Sequence, residues 1–149
     1  MEEISLIDRI RGLSLAERFA KLGVKFAVVY GSVARRRETS VSDIDIAVYC
    51  DDDDFLRLAS SFGCGLFGRE VDLVNLRSLS SFDCYEILSG GELIFASPGD
   101  GEDLYRRTKL KAMIGYLDFE FVRRQVLRDM RNRIENGTYG RSAAETERA

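Results

Sequence analysis

Two aspartates one residue apart, Asp43 and Asp45, are the residues of this 149-residue chain best spaced for chemistry. In an extended strand, alternate side chains share a face and lie roughly 7 Å apart along the backbone. Two carboxylates held this way repel unless a cation sits between them. They can share one or two Mg²⁺ ions, while Ile44 and Ile46 turn the other way and pack. Asp72 interrupts the apolar run Val71-Asp72-Leu73-Val74. If the second and third strands are neighbours, Asp72 reaches the same ions. Upstream, Gly31-Ser32 follows an apolar stretch ending at Tyr30. Backbone N–H groups at such a break bind phosphate, glycine permits close approach, and the Ser32 hydroxyl adds a donor. Arg35, Arg36 and Arg37 follow at once and can neutralise a polyphosphate.

These groups need a sheet to hold them. Val24 to Tyr30, Asp43 to Tyr49, Glu70 to Leu76 and Glu92 to Ala96 read as four strands, rich in β-branched and aromatic residues. Ile4, Leu6, Ile7 and Ile10 predict a short amphipathic helix ending near Gly12. Ser14-Leu15-Ala16-Glu17 is a capping box that opens a helix stopping at Gly23. Gly31-Ser32 is expected to break the first strand, with a helical turn over Val33 to Arg37. The run Asp51 to Asp54 reads as a helix start favoured by the helix dipole, not as a metal site. Gly63, Gly65 and Gly68 mark a loop, and Ser80 to Asp83 opens a helix ending at Gly90-Gly91. Leu110, Met113, Leu117, Phe121, Leu127, Met130 and Ile134 recur at helical spacing within a long segment from about Glu102 to Asn136. That stripe reads as core or partner interface, and most of its first part, Leu110, Met113, Leu117 and Phe121, is expected to bury against the sheet. The pattern predicts an α/β or α+β fold: a small mixed sheet of about four strands covered by helices, with a long C-terminal helical segment. One domain spans 1–136, with its motif region at 24–76 and closing helices over 100–136; a flexible tail covers 137–149.

Composition narrows the chemistry. There is no histidine, so a Ser/His/Asp triad and histidine metal sites are excluded. Cys50, Cys64 and Cys84 are too few and too scattered for a zinc site, and read as free thiols. No apolar run approaches a membrane span, and the acidic start Met1-Glu2-Glu3 is unlike a signal peptide, so a cytoplasmic location is expected. Charge is uneven. Residues 1–103 carry 11 basic and 19 acidic side chains, net −8, whereas residues 104–133 carry 9 basic and 3 acidic, net +6. The basic stretch reads as a solvated helix face or as a surface for an acidic partner. Lys109 and Lys111 are candidates to overhang a triphosphate. A net-acidic chain of 16.8 kDa offers little surface to nucleic acid.

Gly31-Ser32, a spacer of ten residues and Asp43-Ile44-Asp45 resemble the signature of the DNA polymerase β-type nucleotidyltransferase superfamily. The spacer and Ser32-Val33-Ala34-Arg35 match its minimal (MNT) branch, although Arg36 stands where that branch often carries glycine. The closing helix with Tyr116-Leu117-Asp118 looks like that of MNT antitoxins paired with HEPN toxins. The resemblance implies two-metal phosphoryl chemistry. Asp43 and Asp45 would bind both Mg²⁺ ions and grip the triphosphate of ATP, with Gly31, Ser32, Arg35 and Arg36 at the nucleotide. Asp72 would bind the second ion and orient or deprotonate the acceptor hydroxyl. It further implies transfer of AMP to a HEPN-type toxin. The alternatives are a small-molecule, antibiotic-type nucleotidyltransferase and an antitoxin that acts by binding alone.

Overall fold

The computed structural model describes residues 5–138, except 13, 14, 38 and 40. Helix α1 (Leu6–Arg11) starts at Ser5, whose hydroxyl accepts from the Asp8 N–H. Helix α2 (Leu15–Lys21) follows. Ile4 of the first helical pattern and Ser14 of the capping box lie outside the described residues, as does the expected tail from residue 139 on. The chain then runs through β1 (Phe26–Tyr30), a single helical turn α3 (Gly31–Ala34), β2 (Ile44–Tyr49), α4 (Asp52–Ser61) and β3 (Val71–Asn75). A 3-10 turn leads into α5 (Ser81–Gly90), then β4 (Glu92–Ala96) and α6 (Gly101–Glu135). The acidic run opens α4 as expected, and the Ser80 hydroxyl caps α5 by accepting from the Asp83 N–H at 3.1 Å.

The four strands form one mixed sheet in the order β3-β2-β1-β4. β1 pairs antiparallel with both β2 and β4, and β2 pairs parallel with β3. Alternation divides the side chains between two layers. Ala27, Val29, Ile44, Ile46 and Val48 face α1, α2 and α4, together with Phe19, Leu58 and Phe62. Phe26, Val28 and Ala47 face α5 and the start of α6, together with Leu88 and Ala112. β1 and β2 are covered on both sides, and each fully buried valine, isoleucine or phenylalanine there contributes about 1.5–3 kcal/mol. The one buried polar side chain among the described residues, Asn75, is satisfied: its Nδ2 donates to the Cys50 carbonyl and its Oδ1 accepts from the Arg77 N–H.

The closing helix corrects one expectation. α6 is continuous for 35 residues, a rod of about 52 Å at helical rise. Leu104, Tyr105 and Ala112 pack on the second layer, and Tyr116 stacks on Phe82 and Tyr85 of α5. The stripe expected to bury does not. Leu110, Met113, Leu117 and Phe121 are all exposed, Leu117 at 58% and Phe121 at 64%, and so are Leu127, Met130 and Ile134. Helical geometry gives the reason. With 3.6 residues per turn, Leu110, Ile114, Leu117 and Phe121 fall on the side opposite Ala112. Beyond Phe119, α6 has passed the end of α5. No helix among the described residues is long and apolar enough to cross a membrane.

Cys50 and Cys84 are buried, Cys64 is exposed, and all three are free thiols. Burial, reinforced by Asp54 and Asp51, pushes the Cys50 thiol up to about 11. It therefore stays protonated at pH 8, where only thiolates react. A maleimide applied to the folded protein is expected to label Cys64 alone, and all three sites once denaturant is added; peptide mapping reads the result.

Candidate active site

Strand register builds the site. Tyr30 stands opposite Asp45 across β1 and β2, and Asp45 stands opposite Asp72 across β2 and β3. Directly paired residues share a face. Tyr30, Asp45 and Asp72 thus form a row across three strands, on the face that also carries α5 and α6. Asp43 precedes the first residue of β2 and is exposed, as is Asp72; Asp45 is half-buried. The carboxyl of Asp45 is pushed up, first by burial, then by Asp72 and Asp43. The Tyr30 hydroxyl is pushed up to about 12 by burial, then by Asp45 and Asp72. The row is therefore a concentration of negative charge at one end of the sheet. Among the described residues no three acidic or thiol side chains, as positioned, converge to the spacing of a metal site. The donor set is nonetheless all hard oxygen, which suits Mg²⁺, and the two exposed members are free to turn toward a cation.

β1 ends at Tyr30, so Gly31 and Ser32 break the first strand as expected, but they are also the first residues of α3, which covers Gly31–Ala34 and not Val33 to Arg37. Gly31 has φ +71°, and a Cβ there would overlap the carboxylate of Asp45. Glycine is required at this point by the aspartate as much as by any phosphate. A cleft of about 320 Å³ opens beside the turn, lined by Tyr30, Gly31, Ser32, Arg35, Arg37 and Glu86. Arg35 lines it and Arg36 does not. Arg37, the last of the three arginines named from the sequence, lines it too; Glu86 was not singled out from the sequence, nor was Tyr30, although its strand phase beside Gly31 was the available signal. Lys109 and Lys111 do not line this cleft. The Lys109 ammonium lies 5.8 Å over the Tyr105 ring, and Lys111 lines a separate cleft with Arg77 and Tyr49.

Arg36 has φ +53°, in the left-handed region. The position that often holds glycine in the MNT branch thus keeps here the backbone conformation glycine favours, at a cost of about 1–2 kcal/mol for a residue with a Cβ. Two substitutions separate the two left-handed positions. Arg36→Gly is expected to leave the denaturant midpoint unchanged or slightly raised, because relief of strain offsets the added chain entropy. Gly31→Val is expected to lower stability by at least about 2 kcal/mol, because a branched side chain meets both the wrong φ and Asp45. Urea unfolding followed by circular dichroism distinguishes them.

Residues 14–99 match the family model for polymerase beta, nucleotidyltransferase. No curated protein matches significantly. Solved structures with this fold include a chain of a toxin–antitoxin complex with AMP-PNP, at TM-score 0.59 and 24% identity, covering 78% of this chain and 98% of that one. A chain of a mutant of the toxin–antitoxin MntA-HpeT gives TM-score 0.55 and 25% identity, covering 76% and 94%. A chain from the tri-AMPylated Shewanella oneidensis HEPN toxin in complex with MNT antitoxin gives TM-score 0.53 and 22% identity, covering 81% and 96%. With the family match extending from α2 through β4, across the whole sheet and its row of aspartates, this chain belongs to the polymerase beta nucleotidyltransferase family.

Proposed function

We propose that the protein transfers AMP from ATP, with Mg²⁺, to a hydroxyl of a HEPN-type toxin that it neutralises. The observation that carries this reading is the row Asp45–Asp72, with Asp43 adjacent, set directly against the Gly31-Ser32 turn. Asp43, Asp45 and Asp72 would hold the ions, whose charge offsets that of the triphosphate and of the pyrophosphate as it departs. The backbone of α3, Ser32 and Arg35 would hold the phosphates, whereas Arg36, which does not line the cleft, would act on the loop's backbone conformation. Arg35 and Arg37 flank the cleft beside that turn, which supports a phosphate there. The acceptor oxygen bonds to the α-phosphorus, the bond from that phosphorus to the bridging oxygen breaks, and pyrophosphate leaves. The hydroxyl proton passes to Asp72, the outermost carboxylate. The chain's contribution is placement and charge. The partner reading is supported by the toxin–antitoxin complexes among the structural relatives and by the exposed apolar and basic faces of α6. The left-handed Arg36 keeps the loop geometry despite the lost glycine, which favours a catalytic protein over one acting by binding alone.

Calorimetry tests the first step. ATP is expected to bind much more tightly with Mg²⁺ than without. The raised Asp45 carboxyl gives the pH sign: protons and cations compete for the same oxygens, so Mg²⁺-dependent binding strengthens as pH rises through that titration and weakens as pH falls through it. Equal affinity with and without Mg²⁺ refutes the metal role.

A further inference from the structure

We propose that the outer edge of β3 receives the acceptor as an extended peptide, added as a fifth strand, with its hydroxyl-bearing residue beside Asp72. This inference rests on the nucleotidyltransferase reading and adds where, and in what conformation, the acceptor lies.

β3 is an edge strand: β2 pairs on one side and nothing among the described residues pairs on the other. The Ile44 N–H donates to the Glu70 carbonyl at 2.9 Å, which fixes the phase of the parallel ladder. Glu70, Asp72 and Val74 direct their backbone groups at β2, and Val71 and Leu73 direct theirs outward. Those outward groups form a template for another strand. The opposite edge differs. At β4, the Arg11 guanidinium donates to the Leu93 carbonyl at 3.1 Å, and α1 packs alongside.

A cleft of about 510 Å³ runs beside the free edge, lined by Phe62, Cys64, Arg69, Val71 and Leu73 among others. One end is closed by the tight turn in which Leu66 and Arg69 bridge. Gly65 keeps that turn close, since a Cβ there would overlap the Arg69 carbonyl. Val71 and Leu73 turn their side chains to the α4 face, away from Asp72. A strand laid on this edge therefore places alternate side chains in two environments. One set goes to the cleft, where apolar residues fit. The other goes to the face of Tyr30, Asp45 and Asp72, one strand spacing of about 4.8 Å beyond Asp72. A tyrosine or serine opposite Asp72 becomes the fourth member of that row. Its side chain then projects from the same sheet face as the carboxylate that takes its proton. The occupant's chemistry follows: an extended segment with apolar residues at alternate positions around one hydroxyl residue.

The test uses the full chain, Mg²⁺, ATP and a short synthetic peptide with valines at alternate positions around one tyrosine. A control peptide is N-methylated on the amides that would pair with β3. Hydrogen exchange at the Val71 and Leu73 amides is expected to slow about tenfold or more with the first peptide, as for amides entering a ladder. The tyrosine is expected to gain one AMP by mass spectrometry, and the N-methylated peptide is expected to show neither effect. Leu73→Pro removes an outward N–H and no ladder bond, and is expected to abolish the protection; the control peptide asks the same question without altering the protein. Unchanged exchange at Val71 and Leu73, equal modification of the N-methylated peptide, or protection without transfer each overturns the proposal. Calorimetry of Mg²⁺–ATP on the same sample separates the failures. ATP binding with an unprotected edge refutes the edge alone, whereas no ATP binding refutes the underlying reading and this inference with it.

Discussion

Replacing Asp43 and Asp45 together by asparagine is expected to lower nucleotidyl transfer by roughly 10³-fold or more, while the protein stays folded and gains stability. The loss follows from removing the charge that holds the ions: metal stabilisation of the transition state amounts to several kcal/mol, and each ~1.36 kcal/mol is tenfold in rate. The gain in stability has a separate cause. Burial, then Asp72 and Asp43, raise the Asp45 carboxyl, so the folded protein binds that proton more tightly than the unfolded chain does. A raised acid opposes folding above its unfolded titration range, and the cost is fully present once pH exceeds the folded one. At pH 7 without metal, Asp45 is therefore a destabilising charge. The amide is isosteric, uncharged and still clear of Gly31. Thermal unfolding in EDTA at pH 7 is expected to show a higher midpoint for the double variant, with the difference shrinking as pH falls into the carboxylate range. Added Mg²⁺ is expected to raise the midpoint of the wild-type chain only. A double variant that transfers AMP at the wild-type rate refutes the catalytic assignment, and one that melts lower in EDTA refutes the electrostatic argument.

The second large effect is expected on α6. Leu117→Asp with Phe121→Asp is expected to weaken binding of a HEPN-type partner by roughly 10³-fold, taking about 2 kcal/mol for each anchor at the centre of an interface. Both side chains are more than half exposed in the isolated chain, so neither change removes core packing and the melting temperature is expected to hold. Charge reversal of Arg123, Arg124 and Arg128 to Glu acts differently. It is expected to slow association and remove its salt dependence, because these groups flank the apolar ridge and steer encounter with an acidic surface. Neither set is expected to alter Mg²⁺–ATP affinity, since the Gly31-Ser32 cleft contains none of these residues. Stopped-flow association at two salt concentrations, with equilibrium binding alongside, reads both effects. Partner binding that survives both sets places the interface elsewhere and leaves the arginines as a solvated helix face.

Much of this arrangement was legible in the residue pattern. Alternation in Asp43 to Tyr49 identified a strand with both carboxylates on one side, and Ser80 to Asp83 marked the start of α5. The position of Asp72 depended on β2 and β3 being neighbours, a tertiary fact that a βαβ connection favours but local patterning cannot supply; the parallel register Asp45↔Asp72 provides it. Other features were beyond reach for definite reasons. Helical spacing in α6 shows that Leu110, Met113, Leu117 and Phe121 share a side, but not which side meets the sheet. That is decided by Ala112 and Gly115, whose small size lets α6 approach α5 and β1; a Cβ on Gly115 would overlap Ser81. The contact between Gly31 and Asp45 spans an antiparallel pair and leaves no local trace. Glu86 reaches the cleft only because α5 returns across the face of the sheet.

The 35-residue α6 also governs how the chain behaves alone. Its end carries Phe119, Val122, Val126, Met130 and Ile134 past the domain, while Leu110, Ile114, Leu117 and Phe121 lie on its other side, all exposed. One neighbouring helix cannot shield both sides of a rod. Exposed apolar area on this scale drives association with whatever is nearest. A solitary population at rising concentration therefore finds copies of itself, and its solubility becomes a measure of how much of it lacks a companion. Co-production with a molecule that sheathes the rod keeps it dispersed, so the quantity of free chain limits itself.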